Sequence, residues 1–100
     1  MQTHDLPDDN AMQKERAEKL MRAHNLMQVQ LMQESGMDEM DWVERFAADF
    51  RDTVTEQPGE GAQTILAKRA IMFACLKDDI EKAVSLFHNI RPDFPKKKAA

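Results

Sequence analysis

Seven consecutive residues, Ala70-Ile71-Met72-Phe73-Ala74-Cys75-Leu76, carry no polar side chain. The other apolar residues of the chain are spaced out among polar and charged ones. The run is too short to cross a bilayer, which takes about 20 apolar residues. As a helix it is apolar on every side, and such a helix has to be surrounded by other elements. The run therefore predicts the centre of a helical fold, with the helices before and after it packed against it. On that reading Phe73→Asp unfolds the protein.

The rest of the composition agrees with helices. The chain has 100 residues, enough for one domain with one core. Hydrophobic content of 42% excludes wholesale disorder, which requires low hydrophobicity and high net charge. Tyr is absent and there are only 3 Gly and 4 Pro, whereas Met, Ala, Leu, Gln, Glu and Lys are plentiful. Straight-chain residues lose little rotamer freedom in a helix. The net charge is −4, and the basic run Lys96-Lys97-Lys98 stands alone near the C-terminus. Nucleic-acid binders carry a basic stripe that neutralises phosphates, so this balance disfavours one. Cys75 is the single cysteine. It cannot form an internal disulfide, and within an apolar run it acts as a small hydrophobe. A reducing, cytoplasmic setting is expected. The first residues, Met1-Gln2-Thr3-His4-Asp5, have neither the basic nor the apolar region of a signal peptide, and no membrane span is visible.

The pattern predicts a small all-α four-helix bundle with helices over about 11–34, 39–55, 62–77 and 79–91. Residues 1–9 read as an N-terminal arm, 10–95 as a single domain and 96–100 as a basic tail. Asn10 with Gln13 forms a capping-box pattern, and Ser35-Gly36 stops the first helix. Ala17, Leu20, Met21, His24, Met27, Leu31 and Met32 project onto one stripe of that helix, Leu26 and Val29 onto the opposite side. Asp38 caps the second helix, whose stripe reads Val43, Phe46, Ala47, Phe50 and Val54 with Trp42 beside it. Glu56-Gln57-Pro58-Gly59-Glu60-Gly61 breaks the chain. Ile65, Leu66, Ala70, Phe73 and Leu76 form the main stripe of the third helix. Asp78 with Glu81 caps the fourth, whose face is Ile80, Ala83, Val84, Phe87 and Ile90. Phe94, beyond Pro92, is expected to fold back over the bundle base.

Little here points to catalysis. His24 sits on an apolar helix face, but a zinc site needs about four ligands and Cys75 has no second cysteine at metal spacing. A nucleophilic thiol must be exposed and electropositively surrounded, and Cys75 is flanked by Phe73, Ala74 and Leu76. Asp38, Glu39, Asp41 and Glu44 gather at a helix start, which favours the ionised carboxylate rather than a general acid. Asp49 and Asp52 extend this acidic side, with Arg45 and Arg51 interrupting it. Such spaced carboxylates could imitate nucleic-acid phosphates toward a basic protein. Six methionines, Met12, Met21, Met27, Met32, Met37 and Met40, fall in the first helix or the residues just after it, and methionine suits adaptable binding surfaces.

Two motifs bear on the C-terminal half. Gln63 to Arg69 offers polar and basic side chains for a recognition helix, with Lys68 and Arg69 as the contacts, but the linker before it exceeds the usual 3–4-residue turn. Ala83-x-x-x-Phe87 followed by Pro95 resembles half of a tetratricopeptide repeat, with Ala67 standing where that family has a large aromatic and Ile71 where it has a small residue. The resemblance spans about a quarter of the chain, occurs once and implies a helical hairpin; no peptide-binding residues carry over.

The sequence thus reads as a non-enzymatic protein that needs no cofactor or metal and binds another protein as an adaptor, accessory or inhibitor. The expected surface is the first helix (Met21, His24, Leu26, Met27, Val29 and Leu31) with the acidic side of the second (Asp38, Glu39, Asp41, Glu44, Asp49 and Asp52). Homodimerisation through the first helix is a further expectation, since a long helix with two apolar sides outreaches a compact three-helix core. The alternatives are a nucleic-acid-mimicking inhibitor, such as a phage protein aimed at a nuclease or a CRISPR effector, and a small DNA-binding regulator.

Overall fold

The computed structural model describes residues 6–96, with side chains from residue 10 onward. Four helices follow one another with no strand among the described residues. We label them α1 (Leu6–Ser35), α2 (39–54), α3 (Ala62–Leu76) and α4 (Ile80–Ile90). Residues 1–5 of the expected arm and 97–100 of the expected tail lie outside the described residues.

Helix α1 begins at Leu6, so Asn10 lies inside it rather than capping it. Its 30 residues span about 45 Å at 1.5 Å per residue, which gives the molecule its long dimension of 63 Å against 28 and 23 Å. Residues 10–18 are all exposed. Packing starts only at Leu20, so Ala17 and Met21 stay outside the core while Ala23, Met27 and Leu31 enter it. The expected stop is present: Ser35 Oγ donates to the Met32 carbonyl (2.6 Å), and Gly36 adopts φ 72°.

Helix α2 opens with Asp38 accepting from the Asp41 amide (2.9 Å). It then widens into a π turn over Val43–Ala47 before returning to α geometry over Ala48–Val54. With i→i+5 hydrogen bonds, side chains four apart come nearly into line. Trp42, Phe46 and Phe50 accordingly form the inward seam, and Val43 is turned outward at 52% exposure. This corrects the expected stripe, which had Val43 inside and Trp42 at its edge.

Helix α3 corrects the expectation for the apolar run. Its inner face is Lys68, Ile71, Ala74 and Cys75, while Leu66 and Phe73 face solvent, Phe73 at 53% exposure. The helix therefore has an open side. Its main neighbours are α4 and α1, with α2 touching it less, through its last turns. The α3–α4 connection joins two terminal devices in three residues. Asp79 and Asp78 amides donate back to the Ala74 and Cys75 carbonyls (2.9 and 3.0 Å), closing a Schellman motif with Asp78 in the left-handed region (φ 59°). Asp79, not Asp78, then caps α4 by accepting from the Lys82 amide (3.2 Å). Because a side chain in that region is strained, Asp78→Gly is expected to stabilise the fold by about 1 kcal/mol. A urea midpoint that rises without a change in slope checks this.

Within the core, five aromatic rings from α2, α4 and the segment after α4 form a closed circuit. Trp42 meets Phe50 (6.4 Å between centroids), Phe50 meets Phe87 (5.3 Å), Phe87 meets Phe94 (4.8 Å), Phe94 meets Phe46 (5.0 Å) and Phe46 meets Trp42 (6.4 Å). All are tilted or edge-on, the arrangements favoured by the ring quadrupole. Phe94 does fold back and is buried, as expected. Beside the circuit, the Cys75 thiol donates to the Met27 sulfur (3.6 Å).

Candidate partner-binding surface

The residues predicted to bind a partner divide by depth. Met27 and Leu31 are in the core, with 0% and 1% exposure, so they are not surface residues of the folded chain. The stripe they belong to is the one that faces α3 and α4. Met21, Leu26 and Val29 are exposed. His24 is half-buried, its ring edge-on to Phe50 at 6.1 Å. On α2, Asp38 serves as the cap, and Glu39, Asp41, Glu44 and Asp52 are exposed. Asp49 is engaged: its two carboxylate oxygens accept from the Arg91 guanidinium at 2.6 and 2.8 Å.

The structure brings part of this set together at the edge where α1 meets the start of α2. An open cleft of about 230 Å³ runs between Gln28, Val29 and Met32 on one side and Glu39, Trp42 and Val43 on the other. Leu26 stands one turn before Val29 and Met40 one turn before Val43, both exposed. Sequence reasoning missed Val43, because a regular 3.6-residue period buries it and the π turn exposes it, and it named Met40 only among the methionines suited to a binding surface. At the cleft wall the Trp42 indole N–H is buried without a hydrogen-bond acceptor.

Two cations are structural: Lys68, which sequence reasoning set on a recognition helix, and Arg91. Lys68 is 5% exposed and donates to the Asp52 and Thr55 carbonyls (3.1 and 2.8 Å) and to the Glu60 carboxylate. It caps the end of α2 and ties down the following loop. One signal was legible: Lys68 lies three and seven residues before Ile71 and Cys75, on the inner face. Arg69 pairs with Glu56 at the surface (2.9 Å), so of the two expected recognition-helix contacts only Arg69 is exposed. Arg91 gathers Asp93, Asp49 and Thr53, and lies over the Phe94 ring at 4.9 Å. Its hydrogen bonds to Asp93 and Asp49 raise its pKa further, and in return hold both carboxylates below the usual range.

The other titratable groups have structural explanations. Burial pushes the Cys75 thiol up to about 11, the reverse of what a thiolate nucleophile needs. Burial also lowers the pKa of His24, which lines a recess with Lys68 and Glu56. His88 Nε2 lies 2.8 Å from Glu34; burial is the largest effect and raises the Glu34 pKa, but the hydrogen bonds from His88 and Gln30, with the nearby Lys96 charge, together hold the carboxyl below the usual range. Among the described residues no three His, Cys, Asp or Glu side chains are placed to share a metal ion, and no helix is long and apolar enough to cross a membrane.

The sign of the His24 effect follows from the neutral form being favoured in the fold. Its contribution to stability is complete above the unfolded value of about 6.5 and is lost as pH falls through the lower folded value. His24→Leu is therefore expected to flatten the fall in urea midpoint between about pH 7.5 and 5.5, and an unchanged pH profile refutes it. No protein-family model, curated protein or solved structure matches this chain.

Proposed function

We propose that the chain is a non-enzymatic protein-binding module, an adaptor, accessory or inhibitor, that engages its partner through the α1/α2 edge. The observation that carries this reading is the exposure of four large apolar side chains, Leu26, Val29, Met40 and Val43, on two adjoining helices in a chain that is 32% charged. Contiguous exposed apolar surface on a small protein marks an interaction site. The uncharged stretch of α1 from Asn25 to Gln33 supports the same reading, since interface cores are depleted in charge. Glu39, Asp41 and Glu44 supply a polar rim.

The test is co-purification from cells that make the protein. Val29→Glu with Val43→Glu is expected to remove the associated proteins while circular dichroism stays helical. Phe73→Asp, at an exposed position of α3 outside the cleft, is expected to leave them in place. Identical sets of associated proteins for both variants and the unaltered chain overturn the reading.

A further inference from the structure

We propose that the occupant of the α1/α2 cleft is a basic amphipathic helix, seated with its apolar side between Val29 and Val43. This rests on the reading of that edge as the partner surface and specifies the partner's chemistry. The cleft holds about 230 Å³, below the roughly 300–1,000 Å³ of a drug-sized ligand pocket, so it suits anchoring side chains rather than a free small molecule. Val29 on one wall and Val43 on the other line the cleft, and each has a further exposed apolar side chain one turn before it, Leu26 and Met40. That spacing matches the i, i+3, i+4 anchors of a helix laid in a groove. Among the described residues there is no sheet edge on which an extended peptide could add a strand.

Charge selects the sign of the partner. Glu39 lines the α2 wall, and the stretch Asp38–Glu44 that holds it carries four carboxylates and no cation, none of the four in an ion pair among the described residues. The nearest cation in the sequence, Arg45, follows at once. The opposing wall, 25–33, carries no charge. An apolar floor beside uncompensated carboxylates is complementary to a helix with Leu or Met on one face and Lys or Arg on the flank. A nucleic acid is repelled by the same carboxylates.

Trp42 is the chain's only tryptophan and lines the cleft, so its emission reports occupancy directly. The probes are peptides of about five helical turns, roughly 18 residues, and free of Trp: one of Leu and Lys in amphipathic order, its Leu/Glu counterpart, and a Lys/Ser peptide of equal charge. The Leu/Lys peptide is expected to shift Trp42 emission saturably, with the other two at least about tenfold weaker. Val43→Glu makes the chain more negative yet is expected to weaken the Leu/Lys peptide by about tenfold, because it closes the apolar floor. Val29→Gln, which leaves the charge unchanged, is expected to weaken it in the same direction. Glu39→Lys with Glu44→Lys is expected to exchange the preference from Leu/Lys to Leu/Glu. Equal or tighter binding by Val43→Glu shows attraction by charge alone and overturns the proposal, as does equal binding of Leu/Lys and Leu/Glu. Loss of cellular partners on Val29→Glu with Val43→Glu, together with no response to Leu/Lys, overturns the basic helix and leaves the surface assignment standing.

Discussion

Phe87→Ala is expected to destabilise the protein by about 3–5 kcal/mol, the range for truncating a buried phenylalanine. Phe87 is fully buried and sits at the junction of the aromatic circuit, in contact with the rings of Phe50, Phe94 and His88. The truncation removes its apolar surface and leaves a cavity that three rings cannot all collapse into. A domain of this size has a total stability of about 5–15 kcal/mol, so the loss moves the chain close to unfolding at physiological temperature. Urea unfolding followed by helical circular dichroism measures it, with Phe73→Asp as the matched comparison. Phe73 is more than half exposed, and its replacement is expected to cost less than about 1 kcal/mol. Equal costs for the two variants would place the core on the wrong side of α3.

The second large effect is expected at Lys68. Lys68→Met keeps most of the stem but removes the ammonium that serves two backbone carbonyls and the Glu60 carboxylate. Stranding buried acceptors costs about 1–3 kcal/mol each, and Glu60 is open enough to rehydrate, so a total of about 2–3 kcal/mol is expected. The α2–α3 loop loses its anchor at the same time. Limited proteolysis is expected to nick the variant between Thr55 and Gly61, where the unaltered chain resists. High salt is expected not to reproduce the effect, since a buried pair is screened far less than a surface one. A Lys68→Met variant as stable as the parent, with an intact loop, refutes the assignment.

These two residues also show how unevenly the fold was written in the sequence. Phe87 was legible because α4 has strict one-sided periodicity: Ala83, Val84, Phe87 and Ile90 leave a single way to face the core. Helix α3 has no such asymmetry. Its run of apolar residues supplies no polar face to point outward, so Phe73 and Ile71 are interchangeable by pattern. In that helix the polar residue Lys68 marks the inside, because an ammonium can be buried when carbonyls and a carboxylate receive it. In α2 the period itself changes at the π turn, and no Gly or Pro announces the change.

The candidate surface divides in the same way. Leu26 and Val29 were identified as a second apolar patch from their helical phase alone, and they are exposed. Met27 and Leu31 share the phase of the core stripe and went inside. Whether an apolar helical residue meets its own chain or a partner depends on which side neighbouring helices occupy, and that is a long-range property. Asp49 illustrates the point for charge: nothing near it in sequence distinguishes it from Asp52, but Arg91, 42 residues away, neutralises one and leaves the other exposed.

By itself the sequence determined the four helices and the devices that stop and start several of them, Ser35-Gly36, Asp38 and the Pro58-Gly59 break. Those depend on local propensity and on hydrogen bonds between residues a few positions apart. It also determined that the apolar run Ala70–Leu76 contributes to the core, because that much greasy surface has to be covered. Only the tertiary structure decided which side of that run is covered. It placed α1 and α4 against Ile71, Ala74 and Cys75, left Leu66 and Phe73 open, and set Val29 opposite Val43 across a cleft. The hydrophobic effect is non-directional and fixes how much surface is buried. Which atoms are buried is settled by the packing of helices distant in sequence.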